Sequence, residues 1–486
     1  MKKIIINSVL RNVFSQTFGK SFAYFLNFLS ITFAARYLGV EIFGNFASML
    51  AIVIIISKII DFGVSPIVFR DTTTDITNHS YINSALFIRA LLFLITILIA
   101  NLFLFTLNYP VSDLYLTNIL LLNVIFSSRF MFIREILELF FKIDLKMHKV
   151  MIINLIDNVL LLVLVLLIPY FNAGIEYVVW SYTLSNLPGF ILIILASKRD
   201  YSFRFTYITT KVRYLLRESY PLLGYVLLLA LFNQADVLIL KYFKSSYEAG
   251  IYSAAVRLTI PMSIIPIAII STAMPSIIRK IKTTGSKNSS LEISIFKILF
   301  IFSFLIFALI AFKASEFVSI IFGSDYVEAS LPTIILFGSN IFLFCNYFSL
   351  DLLTVHNKQK ISFYYSLLIV VLDIFIIILL LRDYSYNGVA IAKLVAILSG
   401  FITLELIFYY RKFAFSLVNF KSLIFVICSI IVFYLLSFLN IVFYSLISLI
   451  ISVLLVFLLK FFENDELRLL LKVINKEKWI EKFSRI

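Results

Sequence analysis

The sequence predicts an all-α integral membrane protein with about 14 transmembrane helices, and three observations support this fold class. Apolar residues make up 62% of the 486 residues, and the mean hydropathy is +1.03. Apolar stretches of about 18–25 residues follow one another along the chain, and each can cross a hydrocarbon core of about 30 Å as a helix. Lysine and arginine are concentrated in every second gap between these stretches, which is typical of loops that alternate between the two sides of a membrane.

Hydropathy assigns fourteen spans, numbered here in chain order. They are residues 12–34, 43–62, 84–107, 114–133, 149–169, 175–196, 219–243, 249–272, 292–312, 328–349, 361–381, 387–409, 418–438 and 442–460.

The basic residues predict which ends of the spans face the cytoplasm. Of the 42 lysines and arginines, counting those within three residues of a span end with the adjoining loop, 30 fall in segments on the side of the N-terminus, 5 in the opposite loops and 7 deeper inside spans. Because basic loops stay on the cytoplasmic side, both termini are predicted to be cytoplasmic. The net charge of +15 is therefore assigned to topology and anionic headgroups, and binding of nucleic acid is not expected.

A faint internal repeat predicts two lobes of six helices. Arg36-Tyr37 precedes Gly44 near the start of span 2, and Lys241-Tyr242 precedes Gly250 near the start of span 8, each with a polar turn between them. Proteins built from such repeats bind their transported ligand at the repeat interface. The predicted parts are an N-terminal lobe (1–205), a C-terminal lobe (206–412), an appended helix pair (413–461) and an amphipathic cytoplasmic tail (462–486).

Span 1 carries a polar stripe. Gln16, Lys20, Tyr24 and Asn27 follow one another at spacings of four, four and three, so they share one face of a helix that is otherwise rich in Phe and Leu. This stripe predicts a helix that lines a hydrophilic cavity. Hydrogen bonding between helices through the Asn and Gln side chains is the alternative.

Three basic residues within the spans are candidates for binding an anionic ligand. Arg257 lies about two turns into span 8, and the planar fork of arginine suits phosphate oxygens. Pairing with Asp236 is the structural alternative. Lys58 lies three residues before Asp61, which could neutralise it. Lys393 in span 12 is the third candidate.

Arg89, Arg129 and Lys297 are also within spans but lie close to predicted cytoplasmic ends. Long basic side chains near a helix end can extend their charged groups to the membrane surface. We therefore expect these three residues to reach the surface.

Buried carboxylates are the candidates for ion coupling. Asp157 lies between Asn154 and Asn158, and Asp236 and Asp373 lie in spans 7 and 11. A buried carboxylate can carry a proton, and one with amide neighbours can hold Na⁺. Each acid could instead be the structural counter-ion of Lys20, Arg257 or Lys393.

Several classes of enzyme are disfavoured. The loops carry no Gly-rich phosphate-binding motif, no Gly-x-Ser-x-Gly and no Cys-x-x-Cys, and Cys345 and Cys428 both fall within spans. We therefore expect no catalytic residues, no metal site and no cofactor, other than H⁺ or Na⁺ as a coupling ion. A transporter without its own ATPase is the default interpretation.

Short motifs along the chain resemble those of the polysaccharide flippase family, which includes the O-antigen flippases. That family belongs to the superfamily of multidrug, oligosaccharidyl-lipid and polysaccharide exporters. The resemblance extends over at least residues 12–350. It rests on Ala35-Arg36-Tyr37-Leu38-Gly39, Phe43-Gly44, Asp61-Phe62-Gly63, Pro221, Asp236, the segment Gly250 to Leu258, Pro275, Phe322-Gly323 and Tyr326.

The resemblance implies a bacterial inner-membrane protein that flips undecaprenyl-diphosphate-linked oligosaccharide, an O-antigen or capsule repeat unit, from the cytoplasmic to the periplasmic leaflet. It implies two six-helix lobes around a cationic cavity, with membrane lipids and a polysaccharide polymerase as partners. Related lipid II flippases carry essential arginines in helices 1, 2 and 8, where this chain has Lys20, Lys58 and Arg257. Two of these three residues are lysines, which argues against the peptidoglycan branch.

Two other functions are open at this stage. An ion-coupled multidrug exporter of the same superfamily would need an acidic and apolar cavity for organic cations. A membrane scaffold without transport activity would need neither a polar stripe nor buried charges.

Overall fold

The computed structural model describes residues 2–74, 80–106, 109–130, 133–144, 146–197, 207–284, 290–356, 358–407 and 420–462. At residues 2–18, 20, 74, 279–284, 290 and 359 the description covers the backbone alone. Within these ranges the chain is helical and contains no strand.

The α-helices are numbered here in chain order. They are α1 (Lys2–Leu38), α2 (Val40–Asp61), α3 (Val64–Thr74), α4 (Ser80–Thr106), α5 (Val111–Leu121), α6 (Asn123–Phe126), α7 (Ile133–Ile143), α8 (Met147–Leu166), α9 (Ile168–Phe171), α10 (Ile175–Leu184), α11 (Leu187–Ser197), α12 (Thr209–Phe243), α13 (Ser246–Thr259), α14 (Ile264–Thr284), α15 (Ser290–Ala311), α16 (Ala314–Phe322), α17 (Ser330–Val355), α18 (Gln359–Ile407), α19 (Phe420–Leu435) and α20 (Ile441–Leu458).

The predicted all-helical membrane fold is confirmed. Within the described ranges, ten helical segments are long and apolar enough to cross a membrane, and two shorter apolar helices occupy predicted spans 4 and 13. One of the ten, α18, contains two predicted spans, because Ser385 (φ 46°, ψ −128°) breaks the helix between them. Helix α1 covers the first predicted span. About 14 spans are therefore present.

Predicted span 4 differs from the structure at its C-terminal end. The sequence predicts one helix over residues 114–133, but α6 ends at Phe126 and Ser127 is extended (φ −96°, ψ 140°). A single 3-10 turn follows at residues 128–130. No glycine or proline lies in this segment, so the break has none of the local signals that usually mark a helix end.

By its internal contacts the chain divides into two compact units, residues 1–253 and 254–486. In the first unit, α1 packs along α8, and α12 packs along α2. Its apolar core includes buried Val68, Leu86, Leu137, Val150 and Leu215. In the second unit, α17 packs on α15 and α18. The boundary predicted between residues 205 and 206 divides the chain by its internal repeat and not by its internal contacts. It therefore stays a prediction.

The appended helix pair, α19 and α20, packs on α15 in the second unit. Phe425, Phe433 and Tyr444 are fully buried in this contact, and the Tyr444 hydroxyl donates a 2.9 Å hydrogen bond to the carbonyl oxygen of Leu309. The predicted amphipathic tail lies outside the described residues beyond Phe462.

The two motifs of the internal repeat meet in the first unit. A Cβ atom on Gly44 would lie 1.8 Å from the carbonyl oxygen of Ser246, and one on Gly250 would lie 2.1 Å from the carbonyl oxygen of Val40. Val40 and Ser246 each lie four residues before the glycine of their own motif, so the contact is reciprocal. A local two-fold axis between equivalent segments produces this pattern.

Candidate functional site: a polar cavity beside helix α1

A cavity of about 330 Å³ lies in the first unit between α1, the turn at residues 127–130, α7 and α8. Helix α1 contributes Ala23 and Tyr24. The charged lining residues are Arg129, Glu135, Glu138, Lys142 and Asp157, and the amides and hydroxyls are those of Ser127, Ser128, Asn154, Asn158 and Asn186. Polar groups therefore dominate this space, although it lies within a largely apolar chain.

Arg129 enters the cavity because the helix breaks before it. Its Nη1 donates a 3.0 Å hydrogen bond to the Tyr182 hydroxyl, and its Nη2 donates to Oδ1 of Asn158. When the Asn27 amide presents its oxygen, Nη1 and Nη2 also donate to it at 2.8 and 3.2 Å. Among the described residues the ion pairs at this cavity involve Arg89 and Arg134, and none involves Arg129. Its hydrogen-bond partners within the described residues are therefore neutral groups, while Asp157 acts on this half-buried cation electrostatically from beyond ion-pair distance.

Arg134 is fully buried and has the opposite environment. Its Nη1 lies 2.6 Å from Asp157 Oδ2, and its Nε lies 3.2 Å from Glu138 Oε1. Its Nη2 donates a 2.6 Å hydrogen bond to Asn154, and Nη1 donates to the carbonyl oxygen of Phe126 at 3.1 Å. Arg134 thus caps the carboxyl end of α6 at the break and ties it to α7 and α8.

Arg89 was expected to reach the membrane surface, and this expectation is wrong. Its side chain is fully buried, its Nη2 donates to Asp61 and to Ser65, and it lies 3.2 Å from Glu135 Oε2. A buried guanidinium needs paired and hydrogen-bonded acceptors, and α2, α3 and α7 supply them. Asp61, expected from its spacing to neutralise Lys58, interacts electrostatically with Lys58 and also pairs with Arg89.

Arg129 and Lys297 were also expected to reach the surface. Arg129 instead faces the cavity, as described above. Lys297 is 5% exposed, and its Nζ lies 6.0 Å from the ring centroid of Phe461, within cation–π range. The snorkelling interpretation therefore fails for all three residues.

Glu138 is the one cavity carboxylate in α7 that contacts Arg134. Burial raises the pKa of this carboxyl from 4.5 to about 7, although the neighbouring Arg134 guanidinium opposes the rise. The carboxylates of Glu135 and Asp157 also face it and raise its pKa further. Helix α7 lies between predicted spans 4 and 5, outside the membrane-spanning segments. A pKa of about 7 places the change in charge of Glu138 near neutral pH.

The polar stripe on α1 is only partly described. Tyr24 lines the cavity, as expected of a cavity-lining face, whereas Asn27 accepts hydrogen bonds from Arg129 of another segment, as the alternative for this stripe predicts. The side chains of Gln16 and Lys20 lie outside the described residues, so their predicted roles stay predictions.

The three predicted coupling acids have different surroundings. Asp157 pairs with Arg134, and its Oδ1 accepts a 3.0 Å hydrogen bond from the backbone N–H of Gly189. Asp236 accepts a hydrogen bond from the Tyr252 hydroxyl. Asp373 pairs with Lys393 at 2.7 Å, and both side chains are buried. For Asp157 and Asp373 the structure favours the counter-ion alternative, with Arg134 as the partner of Asp157.

Of the predicted anion-binding bases, Lys58 lies in the first unit but does not line the cavity, whereas Arg257 and Lys393 lie in the second unit, so the predicted roles stay predictions. Lys58 is half-buried in α2, Lys393 lies on Asp373, and Arg257 is half-buried in α13. Sequence reasoning singled out neither Arg134, which it placed in a loop, nor the cavity-facing position of Arg129. The dense run of charged residues in 129–138 was the sequence signal for this site. How deeply these side chains lie in the fold depends on the break at Ser127, which the sequence did not predict.

The fold is similar to that of solved helical membrane proteins, at sequence identities that show a likeness of fold alone. The structure titled "Lipid II flippase MurJ, inward closed conformation" superposes with a TM-score of 0.74 at 16% identity, covering 91% of this chain and 97% of that chain. The structure titled as an inward-facing multidrug resistance MATE family transporter of the MOP superfamily gives a TM-score of 0.58 at 14% identity, covering 81% and 95%. The Vibrio cholerae MATE transporter VcmN in the bent form gives 0.53 at 15% identity, covering 83% and 97%.

The family follows from the sequence itself. The family model described as "Polysaccharide biosynthesis protein" matches residues 9–281, so the chain belongs to this polysaccharide biosynthesis family. No curated protein sequence matches the chain. The resemblance that the short motifs indicated is thus confirmed.

Proposed function

We propose that the protein is a flippase that moves undecaprenyl-diphosphate-linked oligosaccharide, an O-antigen or capsule repeat unit, from the cytoplasmic to the periplasmic leaflet. The observation that carries this proposal is Arg129, a cation held by neutral groups in a polar cavity. A partly desolvated charge without a carboxylate partner is costly, and a phosphate group of a bound ligand would offset that cost. Membership of the polysaccharide biosynthesis family supports the same substrate class.

The cavity has the two kinds of groups that such a headgroup needs. Arginine donates two parallel hydrogen bonds to phosphate oxygens, and Arg129 can exchange its bonds to Asn27 and Asn158 for these. Amide and hydroxyl groups such as Asn154, Asn186 and Ser128 suit sugar hydroxyls. The proposed mechanism makes and breaks no covalent bond, so we propose no enzymatic step.

The mechanism is proposed to be alternating access, with the polyprenyl chain remaining in apolar surroundings outside the polar cavity. Lys20, Lys58 and Arg257 are proposed to contact the headgroup at other stages of the cycle. H⁺ or Na⁺ at a buried acid, or the membrane potential, is proposed to set the direction. The protein would then act in a bacterial inner membrane with both termini cytoplasmic, and a polysaccharide polymerase would use its product.

The test is complementation of a bacterial strain that lacks its own O-antigen flippase. Surface polysaccharide and accumulated lipid-linked oligosaccharide are measured together, because a flippase must raise the first and lower the second. Since sugar specificity can be narrow, strains with different repeat units are compared. Failure in all of them, with the protein present in the membrane, would contradict the proposal.

The same strains test the role of Lys20. If the ammonium of Lys20 neutralises the diphosphate, Lys20→Arg retains function and Lys20→Ala loses it. Retained function in the alanine variant would remove Lys20 from the headgroup site.

A multidrug exporter is the alternative, because Glu135, Glu138 and Asp157 line the same cavity. Arginines contact all three of these acids, which leaves little negative charge for an organic cation. Efflux of cationic dyes from cells expressing the protein would favour this alternative over the flippase.

A further inference from the structure

A second cavity, an apolar groove of about 740 Å³, lies in the first unit between α2, α4 and α12. Helix α2 lines it with Ile52, Ile55, Ile56 and Ile59, which share one helical face at spacings of three, one and three. Helix α4 lines it with residues at the same spacing from position 96 to 104. Three helices therefore turn apolar faces to one space without closing it.

This volume is far larger than the voids that packed helices leave between them. A cavity with apolar walls does not hold ordered water, so hydrocarbon must fill it in a membrane. A helix is about 10 Å across, and the groove would hold less than two turns of one. The occupant that fits is therefore a flexible hydrocarbon chain.

The polar end of the groove excludes one kind of chain. Lys241 lies there with its Nζ 2.8 Å from Asp113 Oδ2 and 3.3 Å from the Tyr109 hydroxyl. This ion pair is neutral, and its ammonium already has a carboxylate. A phospholipid carries its phosphate next to its acyl chains and would place it beside this pair, where Asp113 already compensates the charge of Lys241 and no unpaired cation receives the phosphate. The groove suits a chain whose charged end is bound elsewhere.

We propose that this groove binds the isoprenoid chain of the carrier lipid while the diphosphate and sugars occupy a polar site. The inference rests on the proposed function, in which one ligand has a long apolar tail and a distant headgroup. The position of the groove supports this proposal, because α2 and α4 belong to the first predicted repeat and α12 begins the second. Transported ligands bind where such repeats meet.

The test uses a photo-reactive side chain at the rim of the groove. Phe103 lines the groove and is 60% exposed. The matched control is Phe105, an aromatic residue of the same helix that is 68% exposed and does not line the groove. Each is replaced in the full-length protein by p-benzoyl-phenylalanine, the protein is irradiated in bacterial membranes, and the attached lipid is identified by mass spectrometry.

We expect isoprenoid adducts to be enriched several-fold at position 103 over position 105, with phospholipid adducts at both. Equal isoprenoid yields at the two positions would overturn the proposal, as would phospholipid alone at 103. Cross-linking does not require transport. Isoprenoid enrichment at position 103 in a protein that fails to complement would support the groove and contradict the flippase function. Complementation without that enrichment would support the flippase function and contradict the groove.

A second variant tests whether the groove matters for transport. Ile99→Trp would fill the groove, whereas Leu98→Trp places the same bulk on a neighbouring residue that does not line it and is 72% exposed. Because the indole ring would occupy the space that the chain needs, we expect about tenfold less surface polymer from Ile99→Trp, which corresponds to about 1.4 kcal/mol of lost binding. Equal output from the two variants, at equal protein level, would overturn the role in transport.

Discussion

Gly44 and Gly250 each lie against the backbone of the other's helix, in a contact that is the same in both directions. The free space at each is smaller than a methyl group, because a Cβ would come within 1.8 Å or 2.1 Å of a carbonyl oxygen. A backbone oxygen cannot move aside as a flexible side chain can. The faint repeat in the sequence therefore includes the two glycines that let its own copies touch.

We expect Gly44→Ala and Gly250→Ala each to destabilise the protein by at least about 1–3 kcal/mol, the usual cost of overpacking. Thermal unfolding of purified protein measures the effect. Gly174→Ala is the control, because a Cβ there meets nothing within 4 Å. Unfolding temperatures like that of the control would show that these helices separate at no cost.

Arg129 is expected to be required for transport. Hydrogen bonds to a charged group contribute about 1.5–3 kcal/mol, so Arg129→Ala should lower the flipping rate by about ten- to a hundredfold. Arg129→Lys keeps the charge but loses the planar fork, and we expect an intermediate rate. The measurement is accumulation of lipid-linked oligosaccharide in the complemented strain.

The control for Arg129 is Arg70→Ala, which removes an exposed arginine outside the cavity. Full activity of Arg129→Ala would mean that the neutral cage around Arg129 is structural. The headgroup would then have to be sought among Lys20, Lys58 and Arg257.

The sequence predicts most of the fold because span length and the distribution of basic residues are local properties. Even the position of the break in α18 agrees with the predicted gap between spans 11 and 12. The break at Ser127 is not local in origin, since Arg134 caps it from the next helix with help from Asp157 and Asn154. The prediction that Arg89 reaches the membrane surface failed for the same reason. Its hydrogen-bond acceptors come from three other helices.

Glu138 should make the stability of the protein depend on pH. Its pKa is raised from 4.5 to about 7, so between these values the folded state binds more protons than the unfolded state. Stability therefore falls as pH rises from about 5 to 8, by up to about 3 kcal/mol. Glu138→Gln should remove this slope in thermal unfolding curves, and Glu218→Gln, a half-exposed site outside the cavity, should keep it.

Glu138 should also make ligand binding depend on pH. Above pH 7 its negative charge lies beside Arg134 in the cavity and opposes an anionic headgroup. Binding of lipid-linked diphosphate to the purified protein should therefore weaken through pH 7. If Glu138→Gln shows the same dependence of binding on pH as the wild type, another group is responsible for the titration.

Lys393 and Asp373 should act as a unit. Removing one partner of a buried ion pair costs about 3–5 kcal/mol, while replacing both is much less harmful. We expect Lys393→Met and Asp373→Asn each to lower the yield of folded protein, and the double variant to recover most of it. Additive losses would show that the two residues stabilise the fold separately.

Arg134 also constrains how the first half of the chain is made. Its partners include Asn186, whose carbonyl oxygen accepts from Nη1 at 3.4 Å, and Asp157, which also binds Gly189. The ribosome produces the last of these residues some fifty positions after Arg134 itself. Until the sixth span has been synthesised and inserted, the guanidinium has no complete set of acceptors. We therefore expect residues 111–197 to complete their packing only after the sixth span is in place, and a chain stopped after the fifth span to be less stable in the membrane.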